Sequence, residues 1–121
     1  MSPSALANLL HALPYVEETT PFGPEVLVQK VGDKMFACYP PVKEPLRLNL
    51  KCDPERAIEM REKYEEITPG YHMNKRHSNT LLLDGTLPPE LVKELVEHSY
   101  DLVMKSLTRK KRDELSQDRF P

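Results

Sequence analysis

The fold of this chain is decided by residues 46–54, which read LRLNLKCDP. Residues 46–51 alternate strictly between leucine and a polar residue, the pattern of a β-strand with one buried face. Asp53 and Pro54 then suit the cap and first turn of a helix. The alternation also places Arg47, Asn49 and Lys51 together on the opposite face, as either a solvated sheet face or part of a binding surface.

The residues that follow predict a second helix, a strand and a long third helix. Residues 53–67 carry an inward apolar stripe of Ala57, Met60, Tyr64 and Ile67, and the segment 68–70 (TPG) breaks that helix. Residues 80–83 (TLLL) form a short apolar strand before a turn. A wide apolar face at helical spacing predicts the longest helix from Pro88 to about residue 107. A basic turn, residues 109–112 (RKKR), then precedes a short tail.

The residues before position 46 predict a helix and a hairpin. Leucines at positions 6, 9, 10 and 13 follow a capping serine at helical spacing, and residues 16–24 indicate a loop. Residues 26–31 and 34–39 are strand-like and flank a two-residue turn. The whole predicts an α+β fold with an antiparallel sheet and helices packed on one face. We expect one domain over residues 1–121, with residues 1–3 and 116–121 flexible.

Composition narrows the class of protein. The 121 residues are 39% hydrophobic and 30% charged, as in ordinary globular proteins, and the formal net charge is −2. Any attraction to nucleic acid must therefore come from a local patch. No apolar run is long enough to span a membrane, and the N-terminus lacks the basic region of a signal peptide. We accordingly expect a cytoplasmic protein without membrane contact, with Cys38 and Cys52 reduced.

The most unusual stretch is the polar segment, residues 69–79 (PGYHMNKRHSN). It contains no acid, and it combines an aromatic ring with cationic, imidazole and amide groups: Tyr71, His72, Asn74, Lys75, Arg76, His77 and Asn79. Loops that enter a strand lie on the surface, where functional side chains concentrate. This set of groups suits phosphate or a nucleotide. The alternative is a solvated loop in which His72 and Asn74 hold the backbone by hydrogen bonds.

At this point the sequence resembles the MmcQ/YjbR-like family. The matching stretches run over almost the whole chain in order: residues 21–23 (PFG), 32–37 (GDKMFA), 48–55 (LNLKCDPE), 69–75 (PGYHMNK) with His77, and 98–103 (HSYDLV). The resemblance implies a compact α+β fold of the frataxin-like (CyaY-like) arrangement. By analogy with a double-wing transcription-factor domain, it also implies DNA binding. The family usually has tryptophan where this chain has Ser78.

The first functional hypothesis is a small non-catalytic domain that binds DNA weakly and in a salt-sensitive manner. Its site residues are those of the polar segment and of the cationic strand face: Tyr71, His72, Asn74, Lys75, Arg76, His77, Arg47 and Lys51. Lys30, Lys34 and residues 109–112 are possible contributors. The alternative is a module that recognises a protein or a small anionic ligand and no nucleic acid. It predicts a concave pocket walled by Tyr71, His72 and Asn74.

Catalytic and metal-dependent readings have less support. A cysteine with His72 or His77 would make a nucleophile–base pair, but half-buried cysteines are usually packing residues. His72 and His77 have no convincing third metal ligand nearby. A frataxin-like metal role needs an exposed acidic ridge, for which Glu17, Glu18 and the second helix are the candidates. We expect no enzyme activity, no cofactor and no metal.

Overall fold

The computed structural model describes residues 1–70 and 74–117. Within them the chain forms four helices and six strands. In chain order these are α1 (Pro3–His11), β1 (Glu17–Thr19), β2 (Leu27–Val31), β3 (Lys34–Tyr39), β4 (Leu46–Lys51), α2 (Pro54–Lys63), β5 (Ile67–Pro69), β6 (Ser78–Leu83), α3 (Pro89–Ser106) and α4 (Arg109–Gln117). The strands make one antiparallel sheet in the order β1-β2-β3-β4-β6-β5. The predicted fold class is confirmed.

Strand β4 lies inside the sheet and pairs with β3 and β6. Its leucines are buried, as the alternation predicted, and they face a core built with the apolar sides of α1 and α3. Ser99 of α3 fastens this layer, because its hydroxyl donates to the Phe36 carbonyl at 2.5 Å and accepts from the Lys51 amide at 2.9 Å. The helices pack on this side, which we call the helix face; the other side is the open face.

The predicted hairpin is present. β2 and β3 pair across a turn in which Gly32 and Asp33 have φ of 58° and 66°, the left-handed conformation that two-residue hairpin turns require. A Cβ atom on Gly32 would lie 2.6 Å from a methyl group of Leu107, the residue that follows α3. Glycine is therefore favoured there, since a side chain at this positive φ would be strained and would have to displace the Leu107 methyl groups.

Among the differences from the sequence predictions, three affect the edges of the sheet and the chain after α3. Helix α2 ends at Lys63, and Ile67 begins the edge strand β5 instead of the last helical turn. The predicted loop over residues 16–24 contains the edge strand β1. The basic run after α3 is the first turn of a further helix, α4, whose Lys111 ammonium lies 2.8 Å from the Asp33 carboxylate. Both missed strands have three residues, too few for a period of two to stand out.

None of the helices in residues 1–70 and 74–117 is long and apolar enough to cross a membrane.

Candidate functional site

Residues 74–77 of the polar segment form a tight turn just before β6. The Asn74 side-chain oxygen accepts from the Arg76 amide at 2.9 Å, and the Asn74 carbonyl accepts from the His77 amide at 3.1 Å. The Ser78 hydroxyl also donates to the Asn74 carbonyl. Asn74 therefore holds the backbone, as the alternative reading of this loop expected. Tyr71 and His72 lie outside the described residues.

Arg61 of α2 clamps this turn from inside. Its Nε donates to the Asn79 side-chain oxygen at 2.6 Å, and its Nη2 donates to the Ser78 carbonyl at 2.9 Å and to the Lys75 carbonyl. A planar guanidinium with several donors suits such a set of acceptors. Arg61 was not among the site residues predicted from the sequence, although its position four residues after Ala57 places it on the inward side of the helix.

Two polar residues of the segment are structural in this chain. Asn79 is buried, and its amide donates to the Ala57 carbonyl at 3.3 Å while its oxygen accepts from Arg61. Ser78, where the family resemblance led us to expect tryptophan, is also buried. A Cβ on Gly70 would lie 2.9 Å from the Ser78 Cβ, so these two residues pack directly against each other. Position 78 here packs the loop and offers no surface for stacking.

Three consecutive side chains of the turn are exposed: Lys75, Arg76 and His77. No carboxylate in the described parts of the chain lies within ion-pair distance of them. Their backbone is fixed by Arg61 and Asn74, so the side chains are carried on a constrained turn. The arrangement presents two permanent cations and an imidazole to solvent.

Lys51 lies beside this turn, and Arg47 does not. Lys51 is directly opposite Ser78 in the β4–β6 register, and the Cys52 amide donates to the His77 carbonyl at 2.8 Å. Burial lowers the pKa of the Lys51 ammonium, and the nearby charge of Lys34 lowers it further. Arg47 is opposite Leu82, four residues along β4, which corresponds to about 13 Å. The predicted site residues of the strand therefore occupy two separate places.

Two of the other predicted basic contributors, Lys34 and Lys111, are engaged in contacts within the chain. Lys34 donates to the Ser106 hydroxyl at 3.2 Å, which holds it at the same end of the sheet as Lys51. In the basic run before the tail, Lys111 pairs with Asp33 and lies 3.9 Å from Glu114. Lys111 thus attaches α4 to the hairpin, whereas Arg109, Lys110 and Arg112 are exposed.

Asn49, predicted to lie on a cationic strand face, is buried on the open face. It is only 2% exposed; its amide donates to the Cys38 carbonyl at 3.4 Å, and its oxygen accepts from the Thr80 hydroxyl at 2.6 Å. Asn49 and Thr80 form the floor of a cavity of about 350 Å³. Its described lining is completed by Pro40, Lys43, Arg47, Thr68 and Pro69. Asn74, which the alternative hypothesis placed in a pocket wall, is not part of this lining.

The two cysteines are free thiols in environments that disfavour the thiolate. Cys38 is fully buried, which raises the pKa of its thiol to about 11, and burial also raises the pKa of Cys52. Activated cysteines show the reverse shift.

Nowhere in residues 1–70 or 74–117 do three or more His, Cys, Asp or Glu side chains gather closely enough to hold a metal ion. Glu18, a candidate for the acidic ridge of a metal-binding role, accepts a hydrogen bond from the Gln29 amide at 2.8 Å and lies 3.4 Å from His11.

Comparison with known proteins identifies the family. The YjbR family model matches residues 11–102. The uncharacterised protein YbdF of Escherichia coli O157:H7 is 37% identical over 98 residues, which cover 81% of this chain and 80% of that protein. The uncharacterised protein YjbR of Escherichia coli K12 is 32% identical over 117 residues, which cover 97% of this chain and 99% of that protein.

Solved structures give the same result. The crystal structure of Deinococcus radiodurans protein DR2400, which contains a DUF419 domain, has a TM-score of 0.88 and 45% identity over 95% of this chain and 88% of that one. A protein from Pseudomonas syringae has a TM-score of 0.72 and 28% identity over 84% of this chain and 98% of that one. Sequence and structure agree over nearly the full length, and the chain belongs to the YjbR family.

Proposed function

We propose that this chain is a small non-catalytic domain that binds DNA through the turn of residues 74–77 and the neighbouring end of the sheet. The observation that supports it best is the clamp by Arg61. The Arg61 guanidinium donates hydrogen bonds to the carbonyl groups of Lys75 and Ser78, while the side chains of Lys75 and Arg76 are exposed to solvent. A cation held on a fixed backbone loses less entropy on binding a phosphate than one on a free loop.

The charge around the turn favours a polyanion. Lys51 and Lys34 lie at the same end of the sheet and close enough to affect each other electrostatically. The depressed pKa of Lys51 means that a phosphate beside it would relieve an unfavourable environment. The formal net charge of −2 makes the attraction local, so binding depends on these few cations and not on the field of the whole molecule.

The number of phosphates that the cations contact sets the expected affinity for DNA and its dependence on salt. Each phosphate neutralised on duplex DNA contributes about 0.9 to the slope of log K against log salt. Contacts from Lys34, Lys51, Lys75 and Arg76 would therefore give a slope of about −3.6. A fourfold rise in salt concentration would then weaken binding roughly 100-fold. Such binding is weak at physiological salt and is measured best at low salt.

The experiment is a titration of a labelled DNA duplex, and of a single strand of the same sequence, at several salt concentrations. We expect the Lys75→Ala, Arg76→Ala double variant to weaken binding at low salt and to reduce the slope to about −1.8. The control is Lys43→Ala with Lys93→Ala, which removes the same charge from exposed residues elsewhere. Absence of binding at low salt, or an equal loss in both double variants, would remove the proposal.

A further inference from the structure

The cavity on the open face is distinct from the proposed DNA-binding end of the sheet. It lies around Arg47, Asn49 and Thr80, which are near the middle and first half of β4 and in the adjoining part of β6. At about 350 Å³ it is within the range of small-molecule sites, roughly 300–1,000 Å³. Neither Lys75 nor Arg76 lines it, so the two places can be tested separately.

The described lining carries two positive charges and no negative one. Lys43 and Arg47 are exposed at the cavity, and no carboxylate in the described parts of the chain forms an ion pair with either. The planar guanidinium of Arg47 has the geometry for a two-point contact with a carboxylate or phosphate. The charge of the lining therefore selects an anion.

The remaining lining gives shape and an apolar surface. Pro40 and Pro69 contribute apolar groups, and Thr68, an exposed residue, contributes a polar side chain. The floor is held in place by the hydrogen bond between Thr80 and Asn49, two buried residues on adjacent strands of the sheet. A few polar groups on rigid elements beside apolar walls are typical of small-molecule sites.

We propose that this cavity binds a small organic anion, consisting of a carboxylate or phosphate group on a compact apolar body. The anionic group contacts Arg47 and Lys43, and the apolar body lies against Pro40 and Pro69. This site does not depend on DNA binding. Its ligand is a small molecule because a volume of about 350 Å³ suits a compound of that size.

The test is an amide-resolved NMR titration of the full chain with phenyl phosphate, benzoate and the neutral analogue benzyl alcohol. We expect phenyl phosphate or benzoate to shift the amides of Arg47, Asn49, Thr68 and Thr80 saturably, with benzyl alcohol at least about tenfold weaker. Whichever anion binds more tightly distinguishes the phosphate from the carboxylate source. Equal binding of benzyl alcohol, or no saturable shift with either anion, would overturn the proposal.

Variants connect the shifts to the cavity. Arg47→Ala is expected to weaken binding of the preferred anion about tenfold or more, whereas Lys93→Ala, which removes an exposed cation from α3, should leave it unchanged. The Lys75→Ala, Arg76→Ala variant should also bind the small anion normally. Loss of small-anion binding in that variant, with retention in Arg47→Ala, would contradict the assignment to the cavity.

Discussion

Arg61 and its neighbours Lys75 and Arg76 are chemically similar residues with opposite roles. Arg61 directs its donors inward to an amide oxygen and two carbonyls, and the other two side chains are exposed. Composition alone identified the basic character of the segment. It could not show which cations hold the backbone and which are exposed, because that depends on where α2 packs against β6 in the folded chain.

Replacement of Arg61 tests the clamp. We expect Arg61→Ala to lower the free energy of unfolding by about 2–3 kcal/mol, because it leaves the Asn79 oxygen and the Ser78 carbonyl without a charged donor. Arg61→Lys should recover little of this, since lysine lacks the planar fork. Urea unfolding measures the change, with exposed Glu62→Ala as a control expected to stay within about 0.5 kcal/mol. Full stability of Arg61→Ala would show that the clamp is dispensable.

Cys38 should make stability fall at alkaline pH. Its thiol has a pKa of about 11 in the folded state, raised by burial from 9.0, so the folded state holds the proton more tightly than the unfolded state. This contribution is complete below about pH 9 and is lost as the pH rises toward 11, with a slope of up to about 1.4 kcal/mol per pH unit.

Unfolding by urea at pH 8 to 10.5 measures this slope. Cys38→Ala should flatten it, whatever its effect on stability at pH 8. Part of the slope should remain, because burial also raises the pKa of the Cys52 thiol and of the Tyr39 hydroxyl. An identical pH dependence in the wild type and in Cys38→Ala would exclude Cys38 as a source.

At the level of elements, prediction succeeded where a pattern was long and local. The six alternating residues of β4 and the apolar face of α3 each specified an element close to its observed bounds. β1 and β5 were missed because each has three residues and exists through pairing with a neighbouring strand. Pro69 is tolerated in β5 because that strand is at the edge of the sheet.

The contact between the end of α3 and the hairpin makes a testable element-scale prediction. Leu107→Ala should cost about 2–4 kcal/mol, since Leu107 is buried. Gly32→Ala should also destabilise, through its positive φ and through the clash with Leu107. Combined, the two changes should cost less than their sum, because the smaller side chain at position 107 removes the clash. Strict additivity in a double-mutant cycle would contradict this packing.

For the whole molecule, the positions of the charged residues determine where an anion can bind, and the net charge does not. The chain has 17 Lys and Arg against 19 Asp and Glu, yet the 74–77 turn and the open-face cavity each present cations without a paired carboxylate among the described residues. The first of these could be identified from the sequence, since its cations belong to one continuous segment without acidic residues. It did not locate the cavity, because that site combines four separate stretches of the chain.

Mapping where DNA contacts the folded chain distinguishes the turn of residues 74–77 from every other basic surface. A titration with a short duplex at low salt, followed by amide NMR, should shift the signals of residues 74–78 and of Lys51 and Lys34. Signals from Arg47, Thr68 and Thr80 should stay in place, and the shifts should disappear as salt is raised. Shifts confined to the cavity residues, or none at low salt, would show that the turn of residues 74–77 does not bind DNA.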